Sequence, residues 1–339
     1  LPPTIKVDRP LDRLAADDSP FYVNAESRPW LGGDHPRRAA VSAFGFGGSN
    51  FHCLLEEARP DRPVVDWGGD VQILAYSADD DRTLAQALPS WTSETPWTAV
   101  RAEGARSRSA FRADRPVRLA IVARRGDDPS ALVAEARAKL SGGVVKPSSR
   151  TVVGRGGADG KLAFVFPGQG SQYVGMGREL ACRFPRMLAA LELADRETAE
   201  AIGGGRLSDR IYPPTTFDAD QGRRDDEALR DTRRAQPAIG AVSLGMLGIL
   251  KDFGVRPDMV GGHSFGDLAA LRAAGRIDAA TLARLAARRG DLMGRQGDAP
   301  DAGAMLAAFA TSETLDRAIR EHALDVVVGY AVFSLITGG

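Results

Sequence analysis

The sequence predicts an α/β fold with a parallel sheet. Two strand-length apolar runs, Leu162–Phe166 and Met259–Gly261, alternate with long helical stretches near 176–202 and 238–253. Each run passes at once into a glycine-flanked polar turn, and the second turn is followed by a further helix over Phe265–Leu271. A smaller strand–helix alternation fills residues 71–140, which predicts a separate α/β module ahead of the main one.

Residues 1–58 read as the end of a domain. Arg38–Glu57 runs through the glycine stretch Phe44-Gly45-Phe46-Gly47-Gly48 into an apolar segment, Phe51–Leu55, whose composition predicts a strand buried on both faces, with Cys53 in a core. Arg59-Pro60-Asp61-Arg62-Pro63 is a stiff polar connector. In the middle module, Val71–Tyr76 and Val117–Ala123 are strands, Asp79–Leu88 is a helix, and Leu132, Ala136 and Leu140 mark the apolar stripe of a helix over Pro129–Leu140. This module shows no catalytic constellation. The glycine-rich break 154–160 opens the third segment. From Gly303 the pattern is strand (Ala304–Phe309), helix (Ser312–His322) and strand (Leu324–Val328), the opening of a small α+β subdomain.

At 339 residues the chain is long enough for two or three domains of ~100–200 residues. Lys+Arg and Asp+Glu are both 44, so there is no basic excess of the kind that nucleic-acid and anionic-membrane binders carry. Cys53 and Cys182 cannot build a disulfide framework and share no metal-ligand spacing with the four histidines, which points to a reducing cytoplasm and no metal. The least polar stretch, Ala235–Leu250, contains Gln236 and Pro237 and is too short to span a bilayer. Residues 1–20 lack the pattern of a signal peptide, and the start at Leu1-Pro2-Pro3 suggests a piece of something larger.

Three features carry chemistry. Gly262-His263-Ser264-Phe265-Gly266 is a G-x-S-x-G pattern, of which this composition would produce about 0.24 by chance, so its strand–turn–helix setting is what gives it weight. Gly262 and Gly266 suit a turn too crowded for a Cβ, and the residue after the serine aims its N–H at a developing oxyanion. Gly168-Gln169-Gly170, at the end of the first strand, is neither a dinucleotide loop nor a Walker loop; it is either an ordinary glycine turn or a second oxyanion donor. Arg289 falls in the apolar arc of its helix with Leu285, Ala286 and Met293, whereas Arg284 and Arg288 face the polar side. An inward arginine requires an anion, either an internal Asp or Glu or a substrate carboxylate.

Together these motifs resemble a known family. FVFPGQGSQYVGMG (164–177), GGHSFGDLAALRAAG (261–275) and the stretch from Arg289 to Met293 look like the malonyl-CoA:acyl-carrier-protein acyltransferase domain, and PRRAAVSAFGFGGSNFHCLLEE (36–57) is similar to the C-terminal end of a β-ketoacyl synthase domain. The order resembles that of type I iterative polyketide synthases, with phrases closest to the polyunsaturated-fatty-acid and enediyne types. The resemblance implies a ketosynthase (thiolase-like) tail at 1–58, a linker at 59–158 and an incomplete acyltransferase domain at 159–339. That domain would have an α/β-hydrolase-like core and a ferredoxin-like subdomain beginning near 303. It further implies that Ser264 is the nucleophile, with His263 beside it, and that Gln169 and the Phe265 amide form the oxyanion hole. Arg289 is then the malonate-binding arginine, with Gly168 and Gly170 lining the substrate. Phe46 matches the synthase's gating aromatic, and Phe265 in place of Gln departs from the methylmalonyl-type signature. No permanent cofactor is implied; malonyl-CoA is the substrate, and the acyl group passes to the phosphopantetheine thiol of an acyl carrier protein within a multidomain synthase.

Some family features have no match. The general base of the family is a histidine ~100 residues after the serine, further than this chain extends. The only downstream histidine, His322, reads as a solvated helix end, so the stretch alone is expected to be a poor catalyst and poorly soluble. Residues 326–339 lack the Asn-rich turn of the family. Two other readings are a serine esterase or thioesterase of the α/β-hydrolase type, and a non-catalytic docking scaffold that binds a carrier protein.

Overall fold

A computed structural model describes the chain except residues 16–18, 34, 59–68, 144–149, 158–159, 298–309, 325, 327–333 and 338–339. The predicted strand Ala304–Phe309, most of Leu324–Val328 and the Arg59–Pro63 connector lie outside the described residues. The chain divides into two units, residues 1–57 with 161–339 and residues 58–160.

The first unit begins with a short helix, α1 (Asp12–Ala15), and an antiparallel hairpin of β1 (Arg38–Phe44) and β2 (Asn50–Glu56), in which Val41 faces Cys53. The glycine run forms the hairpin turn: Gly48 has φ +85°, and the Gly45 N–H donates to Ser49 O at 3.1 Å. The burial expected for β2 is not found. Every β2 residue is exposed, Phe51 and Leu54 at 70% and 76%, and Cys53 is a surface thiol rather than a core residue. An all-apolar strand needs a layer on each face, and the described residues supply only the neighbouring strand β1. Between α1 and the hairpin, the chain is fastened to helices of the same unit: Arg28 pairs with Asp209 at 3.1 Å, and the Gly32 N–H donates to Glu192 at 2.8 Å.

The described residues of the second unit form a three-stranded antiparallel sheet with three helices. Its order along the chain is β3 (Val71–Ala78), α2 (Asp81–Ala87), α3 (Trp97–Ala110), β4 (Val117–Arg124), α4 (Pro129–Leu140) and β5 (Thr151–Arg155), and the sheet runs β3-β4-β5. Leu74, Tyr76, Leu119 and Ile121 face one way, as a period of two requires, and pack with Leu84, Val100, Val133 and Ala136. Helix α3 closes the free edge of β3, where the Ala75 N–H donates to Ser107 Oγ and Arg108 donates to the Ile73 carbonyl.

The rest of the first unit contains β6 (Ala163–Phe166), α5 (Arg178–Arg183), α6 (Pro185–Thr198), α7 (Leu207–Ile211), α8 (Ala219–Arg230), α9 (Thr232–Asp252), β7 (Met259–Gly262), α10 (Gly266–Ala273), α11 (Ala279–Gly297), α12 (Ser312–Glu321) and β8 (Ser334–Thr337). Strands β6 and β7 are parallel, as the sequence predicts, while β8 joins β7 antiparallel, so the sheet is mixed. The long helix expected over 176–202 is two helices, because Pro185 cannot continue α5 and instead occupies the first turn of α6. Helix α9 begins six residues earlier than predicted, started by Asp231, whose carboxylate accepts from the Arg233 N–H; Pro237 lies in its second turn. Among the described residues no helix is long and apolar enough to cross a membrane, and no His, Cys, Asp and Glu side chains cluster to hold a metal ion.

One half-buried carboxylate gives the fold a pH dependence. Asp195 on α6 accepts from the Ser208 N–H at 2.8 Å and the Ser208 hydroxyl at 2.6 Å, yet burial outweighs these bonds and pushes its carboxyl above the ordinary range. The unfolded chain then loses this proton at a lower pH than the folded chain, so the stability tied to Asp195 is present in acid and falls as the pH rises through the folded pKa. Asp195→Asn should lose less melting temperature than the unaltered chain between pH 4 and 7. Parallel melting curves over that range would rule this out.

Candidate active site

Backbone crowding builds the site. Strand β7 ends at Gly262, and α10 starts four residues later. A Cβ on Gly262 would overlap the backbone of Gly266 and Asp267, and one on Gly266 would overlap the Phe166 carbonyl of β6. Only glycine lets the chain turn this sharply against its neighbouring strand, as the sequence predicts for both positions. Between them Ser264 has φ +54°, a left-handed conformation that costs a residue with a Cβ about 1–3 kcal/mol and that marks functional turns. The serine is exposed, Phe265 is fully buried, and the Phe265 N–H has no partner among the described residues. His263 is exposed and lies beside the β6 turn; a Cβ on Gly168 would come within 2.6 Å of the His263 carbonyl and 3.1 Å of its Nδ1.

Helix α11 brings Arg289 to this turn. The helix lies against α9 along a seam of small residues: a Cβ on Gly290 would meet the Thr232 carbonyl at 2.5 Å, and one on Gly294 would meet the Arg233 side chain at 2.7 Å. Arg289 is half-buried, with Nη2 3.2 Å from Ser264 Oγ and Nη1 2.8 Å from Gln236 Oε1. No carboxylate pairs with it among the described residues. Asp291, two residues further along α11, is held by Arg288 and Arg295, and Asp231, at the start of α9, is held by Arg233. The Arg295 hydrogen bond also holds the Asp291 carboxyl below the usual range. Arg284 and Arg288 are exposed and pair with Glu197 and Asp291. The internal-acid alternative for Arg289 therefore finds no partner, and its charge is directed at the serine.

The β6 turn completes the group. Gly168 is buried, Gly170 has φ +106°, and the exposed Gln169 accepts through Oε1 from Thr232 Oγ1 at 2.9 Å and from Gln236 Nε2 at 3.4 Å. Ser264, His263, Phe265, Arg289 and the 168–170 turn thus converge where two parallel strands end. The Arg289 guanidinium that donates to Ser264 Oγ has no lone pair to take the hydroxyl proton, so it is a binding group and not a base. His322 caps the C-terminal end of α12.

The model of the acyl transferase domain family matches residues 163–333, from the first residue of β6 onward. The chain belongs to the acyl transferase family. Its relatives include polyunsaturated fatty acid and polyketide synthases. It is 31% identical over 330 residues to a polyunsaturated fatty acid synthase polypeptide of Thraustochytrium sp., covering 88% of this chain and 12% of that one. It is 34% identical over 311 residues to polyketide synthase GfsE of Streptomyces halstedii, covering 85% and 8%. The chain thus spans about an eighth or less of these two relatives. Among solved structures, the malonyl-CoA:ACP transacylase (MCAT) of Streptococcus pneumoniae is 34% identical with a TM-score of 0.32, covering 40% of this chain and 39% of that one.

The sequence reading of this acyltransferase stretch missed Gln236 and Thr232, which stand between Arg289 and Gln169. One signal was available: Gln236 interrupts the least polar stretch of the chain, where an amide is costly unless it is hydrogen-bonded. An apolar groove of about 550 Å³ lies elsewhere, between β6 and α9, lined by residues such as Val165, Tyr173, Met246 and Leu250; neither Ser264 nor Arg289 reaches it.

Proposed function

We propose that the chain is the malonyl-transferring stretch of a type I iterative synthase, of the polyunsaturated-fatty-acid or enediyne kind. It comprises the C-terminal end of a ketosynthase (1–58), the ketosynthase–acyltransferase linker (59–158) and part of the acyltransferase domain (159–339), with a ferredoxin-like subdomain opening near 303. Ser264 Oγ attacks the thioester carbonyl of malonyl-CoA, its proton goes to a histidine that the family resemblance puts ~100 residues further on, and the coenzyme A thiolate leaves. The ester carbonyl is then attacked by the phosphopantetheine thiol of an acyl carrier protein, which returns Ser264 to its free form. The amides of Phe265 and Gln169 serve the oxyanion, His263 flanks the nucleophile, and Gly168 and Gly170 keep the turn close to the substrate.

The observation that carries this reading is the uncompensated Arg289 guanidinium 3.2 Å from the Ser264 hydroxyl. A simple acyl ester has nothing to offer that charge, whereas the free carboxylate of a malonyl group does, which favours this reading over an esterase or a docking scaffold. A charge-assisted pair of this kind contributes about 1.5–3 kcal/mol, roughly 10- to 150-fold. Arg289→Ala should therefore lower malonyl loading from malonyl-CoA by about 10- to 150-fold, read by intact mass against time, while acetyl loading falls far less. Equal losses for both donors would make Arg289 a structural residue and remove the basis for malonyl transfer.

A further inference from the structure

The malonate-binding arginine proposed above is itself held in place, and we infer that Gln236 is the residue that positions it and sets the preference for a carboxylate-bearing acyl group. This inference rests on the malonyl reading of the Arg289 site. Gln236 has no exposed surface. Its Oε1 accepts from Arg289 Nη1 at 2.8 Å, and its Nε2 donates to Thr232 Oγ1 at 2.7 Å, with Gln169 Oε1 at 3.4 Å and Met293 Sδ at 3.3 Å. The Thr232 hydroxyl donates onward to Gln169 Oε1 at 2.9 Å. A guanidinium has only donors, so the amide has one sense: oxygen toward Arg289 and nitrogen toward Thr232. A directed chain of hydrogen bonds then runs from Arg289 through Gln236 and Thr232 to Gln169, joining the charge on α11 to the turn after β6.

The chemistry of the acceptor matters. Gln236 offers Arg289 a neutral oxygen, which fixes the guanidinium without cancelling its charge. A carboxylate in the same place would hold the arginine at least as firmly, yet it would form an internal ion pair with which a substrate carboxylate must compete. Gln236 therefore orients Arg289 while leaving its full charge for the acyl group. Pro237 follows directly, and Gly240, one turn later, lets Phe265 approach α9, with a Cβ there only 3.1 Å from the Phe265 ring. The same helix thus seats both the positioning amide and the residue after the nucleophile.

The test is equilibrium binding of malonyl-CoA and acetyl-CoA by calorimetry, in a Ser264→Ala background where no ester can form. In Gln236→Glu the malonyl-to-acetyl affinity ratio should fall at least ~10-fold, because the shape and the acceptor for Arg289 are kept while the added charge competes with the malonyl carboxylate; the amide donor to Thr232 is lost with it. Gln236→Met removes the acceptor without adding charge and should lower the ratio by ~3- to 5-fold. Arg289→Ala is the reference and should abolish the preference. If Arg289→Ala does so while both Gln236 variants keep the full ratio, Gln236 has no positioning role and the malonyl reading stands. Equal weakening for both ligands in the Gln236 variants makes the residue merely structural. A preference that survives Arg289→Ala, or no malonyl-CoA binding at all, overturns the malonyl reading and this inference with it. Should Gln236→Glu not fold, Gln236→Met alone decides.

Discussion

Ser264→Ala should lower malonyl loading by at least ~10³-fold, with no malonyl adduct visible by intact mass at times when the unaltered chain is loaded. The hydroxyl stands at φ +54° on a turn whose two glycines leave no room for side chains, and it is the only nucleophile within hydrogen-bond distance of Arg289 among the described residues. Alanine tolerates the left-handed conformation no better than serine, so backbone strain stays the same. Stability should therefore change by less than about 0.5 kcal/mol, and the loss of loading cannot be attributed to unfolding. A Ser264→Ala chain that still accumulates one malonyl group per molecule would place the nucleophile elsewhere.

Gly266→Ala should have the largest effect on the fold. The added methyl would overlap the Phe166 carbonyl and approach that of Pro167 at 3.0 Å, and these are backbone atoms that cannot rotate away. Relief requires α10 to move off β6, opening the contact that buries Phe166, Ala269 and Ala270. A loss of about 3 kcal/mol or more is expected, read from the denaturant midpoint, together with loss of loading because Ser264 and the Phe265 amide move with the helix. An unchanged midpoint would show that the helix start and the strand are not in forced contact.

The parts of this chain that could be read in the sequence are those set by local rules. The helix over Pro129–Leu140 is found where Asp128, Pro129 and the Leu132/Ala136/Leu140 stripe put it, and the elbow is found where Gly262 and Gly266 require it. The arc around Arg289 marked a half-buried charge, although Leu285 and Met293 of that arc are exposed; it left an internal acid and a substrate carboxylate both open, and the link to Ser264 came from the family resemblance. What escaped depends on tertiary context. Pro185 opens a helix, whereas Pro237 lies in the second turn of one that Asp231 starts six residues earlier. Phe51–Leu55 has the composition of an interior strand, and pattern alone cannot say whether covering layers are supplied. Gln236 was visible as an oddity, but two of its partners, Arg289 and Gln169, lie 53 and 67 residues away along the chain.

The seam between α9 and α11 limits how such a site could change its diet. Where main chain rests on main chain, as at Gly290 against Thr232, there is no side chain to trim, and the two helices cannot be brought closer or eased apart by a gradual series of substitutions. The distance from guanidinium to hydroxyl is in effect a fixed gauge. Accommodation of a bulkier acyl branch has to come from removable bulk at the rim, and the thioether of Met293, partly exposed and 3.3 Å from Gln236, is the bulk placed to give way.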